Sequence, residues 1–370
     1  MNIILRWLFD LAARFGRTLD PMLLGALLAL MAIGLAVLYS AGGQSTGLVV
    51  AQGARFGVGL VAMWALSRMP PAQLRNWTPQ VFGLSLIPLL LVLFIGTGKH
   101  GQHWIDLKVF YFQPAEVLKL SLPMMVAWYL NRQPLPPRLS TVLVAAVIIA
   151  VPTLLILLQP DFGTAMLVGV SGAFALYLAG LPWWWFGAAF GGVAAAAPVA
   201  WLWLLRPYQK DRILTFLNPE SDPLGTGWNI IQSKIAIGGG GLTGKGWGEG
   251  TQVHLNYIPE HTTDFIFAVL SEEFGWAGVV TVLALYLFVV GRCLWIAADA
   301  RDGYSRLIAG TLGLAFCVYV IVNGGMVAGL LPVVGVPMPL LSYGGTSAVS
   351  LLAGLGVVMA VRAHRPVHGR

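Results

Sequence analysis

Between Pro21 and Tyr39 nineteen successive residues carry no charge, and the chain repeats runs of this kind to its end. Wound as a helix, an apolar stretch of about 17–25 residues matches the hydrocarbon thickness of a bilayer. Within that layer the backbone must satisfy its own hydrogen bonds, which leaves helices or closed barrels. Helix-length runs cover residues 21–39, 48–67, 78–96, 116–130, 140–158, 164–181, 183–204, 264–291, 306–331 and 342–362. The fourth is short and contains Pro123, and a tight Gly180-Leu181-Pro182 turn joins the sixth to the seventh. The expectation is an all-α integral membrane protein with ten transmembrane helices, a single polytopic membrane domain over residues 1–370. Only 10% of residues are charged, against roughly 25% in soluble domains. The run at 21–39 is too long for the apolar part of a cleaved signal, and residues 1–20 read as an amphipathic interfacial segment.

The net charge of +7 does not mark a nucleic-acid binder, because of where the charges fall. Thirteen of the sixteen arginines occupy the two ends and alternate loops, as a cytoplasmic face requires. Both termini are therefore expected in the cytoplasm. All six lysines and eleven of the fifteen acids then lie on the outer half, which places any chemistry there. Residues 205–263 form one long extracytoplasmic loop between helices 7 and 8, with a short helix expected around Trp228–Ile237. A connection of that length is uncommon unless it has a function. A second outer loop, 97–115, is polar and aromatic. Cys293 and Cys317 offer neither metal-ligand spacing nor a basis for a disulfide.

Several stretches carry candidate chemistry. IGGGGLTGKGWGEG (237–250) places Gly239, Gly241 and Gly244 in a G-x-G-x-x-G pattern, but no strand precedes it and Gly246 replaces the Ser/Thr of a phosphate loop. It reads instead as a loop whose backbone N–H groups can approach a ligand closely. Glu116 and Lys119 sit three apart, able to pair on one helix face, and ionisable groups in a membrane helix mark a site. Lys119 is a candidate phosphate ligand. Asp161 can cap the sixth helix or face the same cavity. Asp264 stands at the mouth of the eighth span, where capping is again the plain reading. Glu272 lies about 12 Å further along that helix, on the same broad face as Asp264, and Glu273 points the other way. Asn323, Ser342-Tyr343 and a Gly-Gly-Thr-Ser opening of the tenth span are small or polar features that suit a cavity wall.

Five blocks occur in order: FQPAEVLK (112–119), LQPDFGT (158–164), RPYQKDRILTFLNPESDPLGTGWNIIQSKIAIGGGGLTGKG (206–246), TDFIFAVLSEEFG (263–275) and GLLPVVGVPMPLLSYGGTS (329–347). With them the chain resembles, over nearly its whole length, the SEDS family (shape, elongation, division and sporulation). The resemblance is nearer to the rod-shape, cell-elongation members than to the division members. It implies a peptidoglycan glycosyltransferase that polymerises lipid II, with a class B penicillin-binding protein (a transpeptidase) and the elongation complex as partners. It also implies that Asp264 is the catalytic residue, and it carries Glu116, Lys119 and Asp161 into the site. Joining an α-linked donor in a β-1,4 bond inverts the anomeric carbon, so one in-line displacement needs a base at the acceptor hydroxyl and cations at the pyrophosphate. Asp264 suits the first role. Lys119, Arg206, Lys210 and Arg212 suit the second, while Glu272 and Ser342 are expected beside the same cavity. A divalent cation (Mg or Mn) would be compatible with this chemistry, although no ligand cluster demonstrates one. His103 stands where the family often has Arg, and Thr262 where it commonly has His, so no histidine role is carried over. A transporter or flippase for lipid-linked precursors is the rival reading, but transporters place charges near the midplane between repeated halves. A non-catalytic scaffold would leave the outer acids without a purpose.

Overall fold

The computed structural model describes residues 18–97, 103–106, 108, 111–205, 207–221, 226–254 and 260–364. The interfacial segment expected over residues 1–20 lies outside these up to Arg17, as does Arg206. A helix covers each apolar run. Before the long loop come α1 (Pro21–Ala41), α2 (Thr46–Ser67), α3 (Pro71–Ile95), α4 (Pro114–Leu130), α5 (Leu139–Leu158), α6 (Phe162–Leu178) and α7 (Trp183–Val199). The loop contributes α8 (Pro207–Leu217), α9 (Thr226–Gly239) and one turn, α10 (Thr251–His254). Then follow α11 (Ile266–Ala298), α12 (Gly303–Val327) and α13 (Thr346–Ala363). Eight helices among the described residues are long and apolar enough to cross a membrane, α7 counting with its continuation to Trp203. The other two, α4 and α6, have 17 residues each.

Three boundaries differ from the hydropathy reading, each for an identifiable reason. Helix α11 runs on to Ala298 because Arg292, which looks like the end of an apolar run, has its charge satisfied by Asp20. Helix α13 starts at Thr346 and not at 342, because Ser342, Tyr343 and Gly344 bond to other segments. Helix α3 starts at Pro71, a residue suited to a first helical turn. Between α3 and α4 lies a minimal hairpin, β1 (Ile105–Asp106) and β2 (Tyr111–Phe112), pairing Ile105 with Phe112. Asp106 shapes its turn by accepting from the Lys108 N–H at 2.7 Å.

Packing is tightest between α2 and α13 and between α11 and α12. Small residues make the first contact possible: a Cβ at Gly356 would collide with the Met63 carbonyl, and one at Gly59 would meet the Leu352 side chain at 2.5 Å. In contrast, α7 buries none of its residues and stands at the periphery.

One end of the bundle is closed by a buried ion cluster. Asp20 caps α1 by accepting from the N–H groups of Met22 (3.0 Å) and Leu23 (2.9 Å). It also pairs with Arg292 at 2.8 Å and Arg362 at 2.6 Å, tying α1 to the ends of α11 and α13. Burial works to raise the Asp20 pKa, but the Arg292 hydrogen bond, the Leu23 N–H and the two guanidinium charges together hold it below its usual value. Asp20→Ala removes the shared partner and strands two cations, an error that costs about 3–5 kcal/mol at buried sites. Because Arg362 is about one-third exposed, the low end is expected. Thermal unfolding of the detergent-purified variant should show a clear drop in Tm, and an unchanged Tm would remove the cluster from the stability account.

Candidate active site

A cavity of about 350 Å³ opens among α4, α6, α8, the segment before α11 and the segment before α13. Its charged lining residues are Glu116, Lys119, Asp161, Arg212 and Asp264, with His103 and Trp104 at its edge. Five of the sequence candidates therefore come together, although they are spread over 149 positions of the chain.

Each charge has a local reason for its place. Pro114 starts α4, and Glu116 lies in its first turn, where the helix dipole favours an acid. Lys119, one turn on, donates to Glu116 Oε1 at 2.6 Å, while Ser350 on α13 donates to Glu116 Oε2 at 2.7 Å. The Lys119 ammonium also lies 5.1 Å from the Tyr319 ring centroid. Asp161 does both things expected of it. Its Oδ1 caps α6 by accepting from the Thr164 N–H at 3.0 Å, and its Oδ2 accepts from Gln113 Nε2 at 2.9 Å.

Asp264 is held differently. Three successive carbonyls are pinned: Thr262 accepts from the Tyr343 N–H (2.9 Å), Thr263 from Ser342 Oγ (2.6 Å) and Asp264 from Asn323 Nδ2 (2.8 Å). Its carboxylate, by contrast, takes no hydrogen bond among the described residues, so the backbone is fixed while the side chain lines the cavity unpinned. Burial raises the Asp264 pKa to about 6, the Glu260 charge adds to the rise, and Arg212 opposes it.

Other candidates fall elsewhere. Glu272 is fully buried away from the cavity, because Lys245 Nζ (2.6 Å), Thr251 Oγ1 (3.0 Å) and the Gln252 N–H (3.2 Å) all donate to it. Glu273, on the other side of α11, accepts from Ser40 Oγ on α1. Ser342 does not face the cavity, since its hydroxyl donates to Thr263 and accepts from the Met338 N–H. It supports the Asp264 segment from behind. Lys210 Nζ lies 5.9 Å from the Trp201 ring centroid and does not line the cavity.

Two participants escape the sequence reading. Gln113 orients Asp161, a link that only the fold creates. Arg55 lies within the apolar helix α2, its guanidinium 4.2 Å from the Tyr343 ring centroid and donating to Gln52 Oε1 at 3.4 Å. Gln52 in turn donates to the Ser342 carbonyl at 3.3 Å and accepts from the Gly344 N–H at 3.3 Å. A charged residue inside an apolar span was the available signal.

No group of three or more His, Cys, Asp or Glu side chains gathers to hold a metal among the described residues. Glu116 and Asp161 are each engaged by protein donors.

Comparison with known proteins places this architecture. The chain is 48% identical over 348 residues to the peptidoglycan glycosyltransferase MrdB of Escherichia coli (strain K12), covering 94% of each. It is 31% identical to the peptidoglycan glycosyltransferase RodA of Treponema pallidum, covering 94% of this chain and 98% of that protein. Among solved structures, it superimposes with a TM-score of 0.82 on a chain of a peptidoglycan synthase complex described as coordinating polymerization and crosslinking (32% identity, 94% of this chain, 99% of that one). The rod shape determining protein RodA of Thermus thermophilus gives a TM-score of 0.71 at 29% identity, covering 93% of this chain and 96% of that one. Residues 20–366 match the cell cycle proteins grouped as FtsW, RodA and SpoVE, and the chain belongs to that family.

Proposed function

We propose that this chain is a peptidoglycan glycosyltransferase that polymerises lipid II into β-1,4 glycan strands during cell elongation. The observation that carries the mechanism is the pairing, in one cavity, of a backbone-pinned carboxylate with two cations, Lys119 and Arg212. Asp264 accepts the proton of the acceptor GlcNAc C4 hydroxyl as that oxygen attacks C1 of the donor MurNAc. The bond from C1 to the pyrophosphate oxygen breaks on the opposite face, which inverts the anomeric centre, and undecaprenyl pyrophosphate leaves. Lys119 and Arg212 face the charge that develops on the leaving group, where preorganised cations are most effective. All ten long helices cross the bacterial inner membrane in this reading, with both termini cytoplasmic and the cavity on the extracytoplasmic side. The partner is a class B penicillin-binding protein, a reading supported by the likeness to a synthase complex that couples polymerization to crosslinking.

The test is to reconstitute the purified protein with that partner in liposomes containing lipid II. Glycan polymer is expected. Movement of lipid II between leaflets without polymer would sink the proposal in favour of a transporter.

A base with a pKa near the working pH is efficient, and the pH profile should show it. Polymerisation should fall tenfold per unit below an acid limb centred near 6, about two units above an ordinary Asp. Removing the Glu260 charge (Glu260→Gln) should move that limb down, and removing the Arg212 charge should move it up, because the two act on Asp264 with opposite signs. A limb near 4 in the wild type would contradict the assignment.

A further inference from the structure

The glycine-rich loop after α9 is inserted into α11. In a regular helix the Trp276 and Ala277 N–H groups would donate to the Glu272 and Glu273 carbonyls. Here both bonds are replaced. Trp276 and Ala277 donate to the Gly241 and Leu242 carbonyls at 2.9 and 3.0 Å, while the Glu272 and Glu273 carbonyls accept from the Lys245 and Gly246 N–H groups at 3.0 and 3.1 Å. Gly275 takes up the break at φ +60°, a conformation that favours glycine. The backbones approach so closely that a Cβ at Gly240 would collide with the Ser271 carbonyl, and one at Gly244 with that of Glu273. Lys245 then extends over the junction and donates to Glu272 at 2.6 Å, with Thr251 and the Gln252 N–H completing the carboxylate's shell.

The insertion isolates the piece Ile266–Phe274, which has Asp264 just ahead of one end and the loop locked to the other. The same loop carries α8 and Arg212, and α8 packs on α9, which packs on α11. We propose that the glycine-rich loop and the Lys245–Glu272 pair form a clasp that positions Asp264, so that the extracytoplasmic loop and the reacting carboxylate move as one body. Lys245 and Glu272 are positioning residues in this account, since neither lines the cavity. A partner that shifts the outer loop would thereby shift the base relative to its substrate. The inference rests on Asp264 being the base of the polymerase.

The experiment uses the full chain with its transpeptidase partner and measures kcat and KM for lipid II in the wild type, Lys245→Met, Lys245→Arg and Glu272→Gln. A misplacement of about 1 Å costs about 10²-fold in rate, so Lys245→Met and Glu272→Gln should lose about 10- to 100-fold in kcat. The KM should stay within about twofold, as expected when only transition-state interactions are lost. Lys245→Arg keeps the cation and should recover most of the kcat. Equal kcat in Lys245→Met and wild type overturns the clasp while leaving the polymerase intact. Parallel loss of kcat, KM and Tm without recovery in Lys245→Arg also overturns it, since that pattern describes fold damage alone. Absence of polymer from the wild type itself would instead overturn the polymerase reading beneath it.

Discussion

Asp264→Asn is expected to lower the rate of glycan polymerisation by about 10²- to 10⁴-fold, the span that general base catalysis supplies. Asn keeps the size of the side chain and leaves the Asn323, Ser342 and Tyr343 bonds untouched, since all three hold backbone carbonyls and not the carboxylate. What disappears is the ability to take a proton. The variant should not be less stable. A carboxyl whose folded pKa lies above its unfolded value opposes folding once the pH exceeds the unfolded pKa, and its full cost is present above about 6. At neutral pH the Asn variant escapes that cost, so its Tm should equal or exceed that of the wild type. A collapse in Tm would mean that the lost activity reports unfolding.

Lys119→Met is expected to cost about 10²- to 10³-fold in kcat, as removal of a preorganised charge stabiliser does. The substitution also leaves Glu116, which is 5% exposed, with Ser350 as its remaining hydrogen-bond partner, and a stranded buried acid weakens the fold. The double variant Glu116→Gln/Lys119→Met separates the two effects. It removes both charges together, so it should regain stability over Lys119→Met in a thermal melt yet stay just as slow. If the double variant recovers activity along with stability, Lys119 acts through the fold and not on the pyrophosphate.

The membrane helices were legible because hydropathy is a local property. Every apolar run has its helix, and the errors at α11 and α13 sit at ends where a polar residue is satisfied by a partner far away in sequence. Arg292 illustrates this: alone it reads as the end of a span, and only the buried Asp20, 272 positions earlier, lets α11 continue past it. The cavity was partly legible for a similar reason. Glu116, Lys119, Asp161 and Asp264 are ionisable groups at helix mouths, which local reasoning can find. Helical phase places Glu272 with Asp264 only if one helix carries both, whereas α11 begins at Ile266 and Glu272 is seated by Lys245, Thr251 and the Gln252 N–H of the long loop. The break at Gly275 and the seat of Lys245 arise from a loop some thirty positions upstream, and no periodicity within α11 announces it. Ser342 was placed in the cavity by its neighbours, Tyr343 and Gly344, which do line it; its own hydroxyl turns away to hold Thr263.

The most direct test of Asp264 as a base measures lipid II binding and initial polymerisation rate on the same preparations of wild type and Asp264→Asn, each with the transpeptidase partner. Equal binding and a loss of at least about 10²-fold in rate are expected. Polymer formed by Asp264→Asn at the wild-type rate would contradict that role, and so would a loss of rate explained wholly by lost binding.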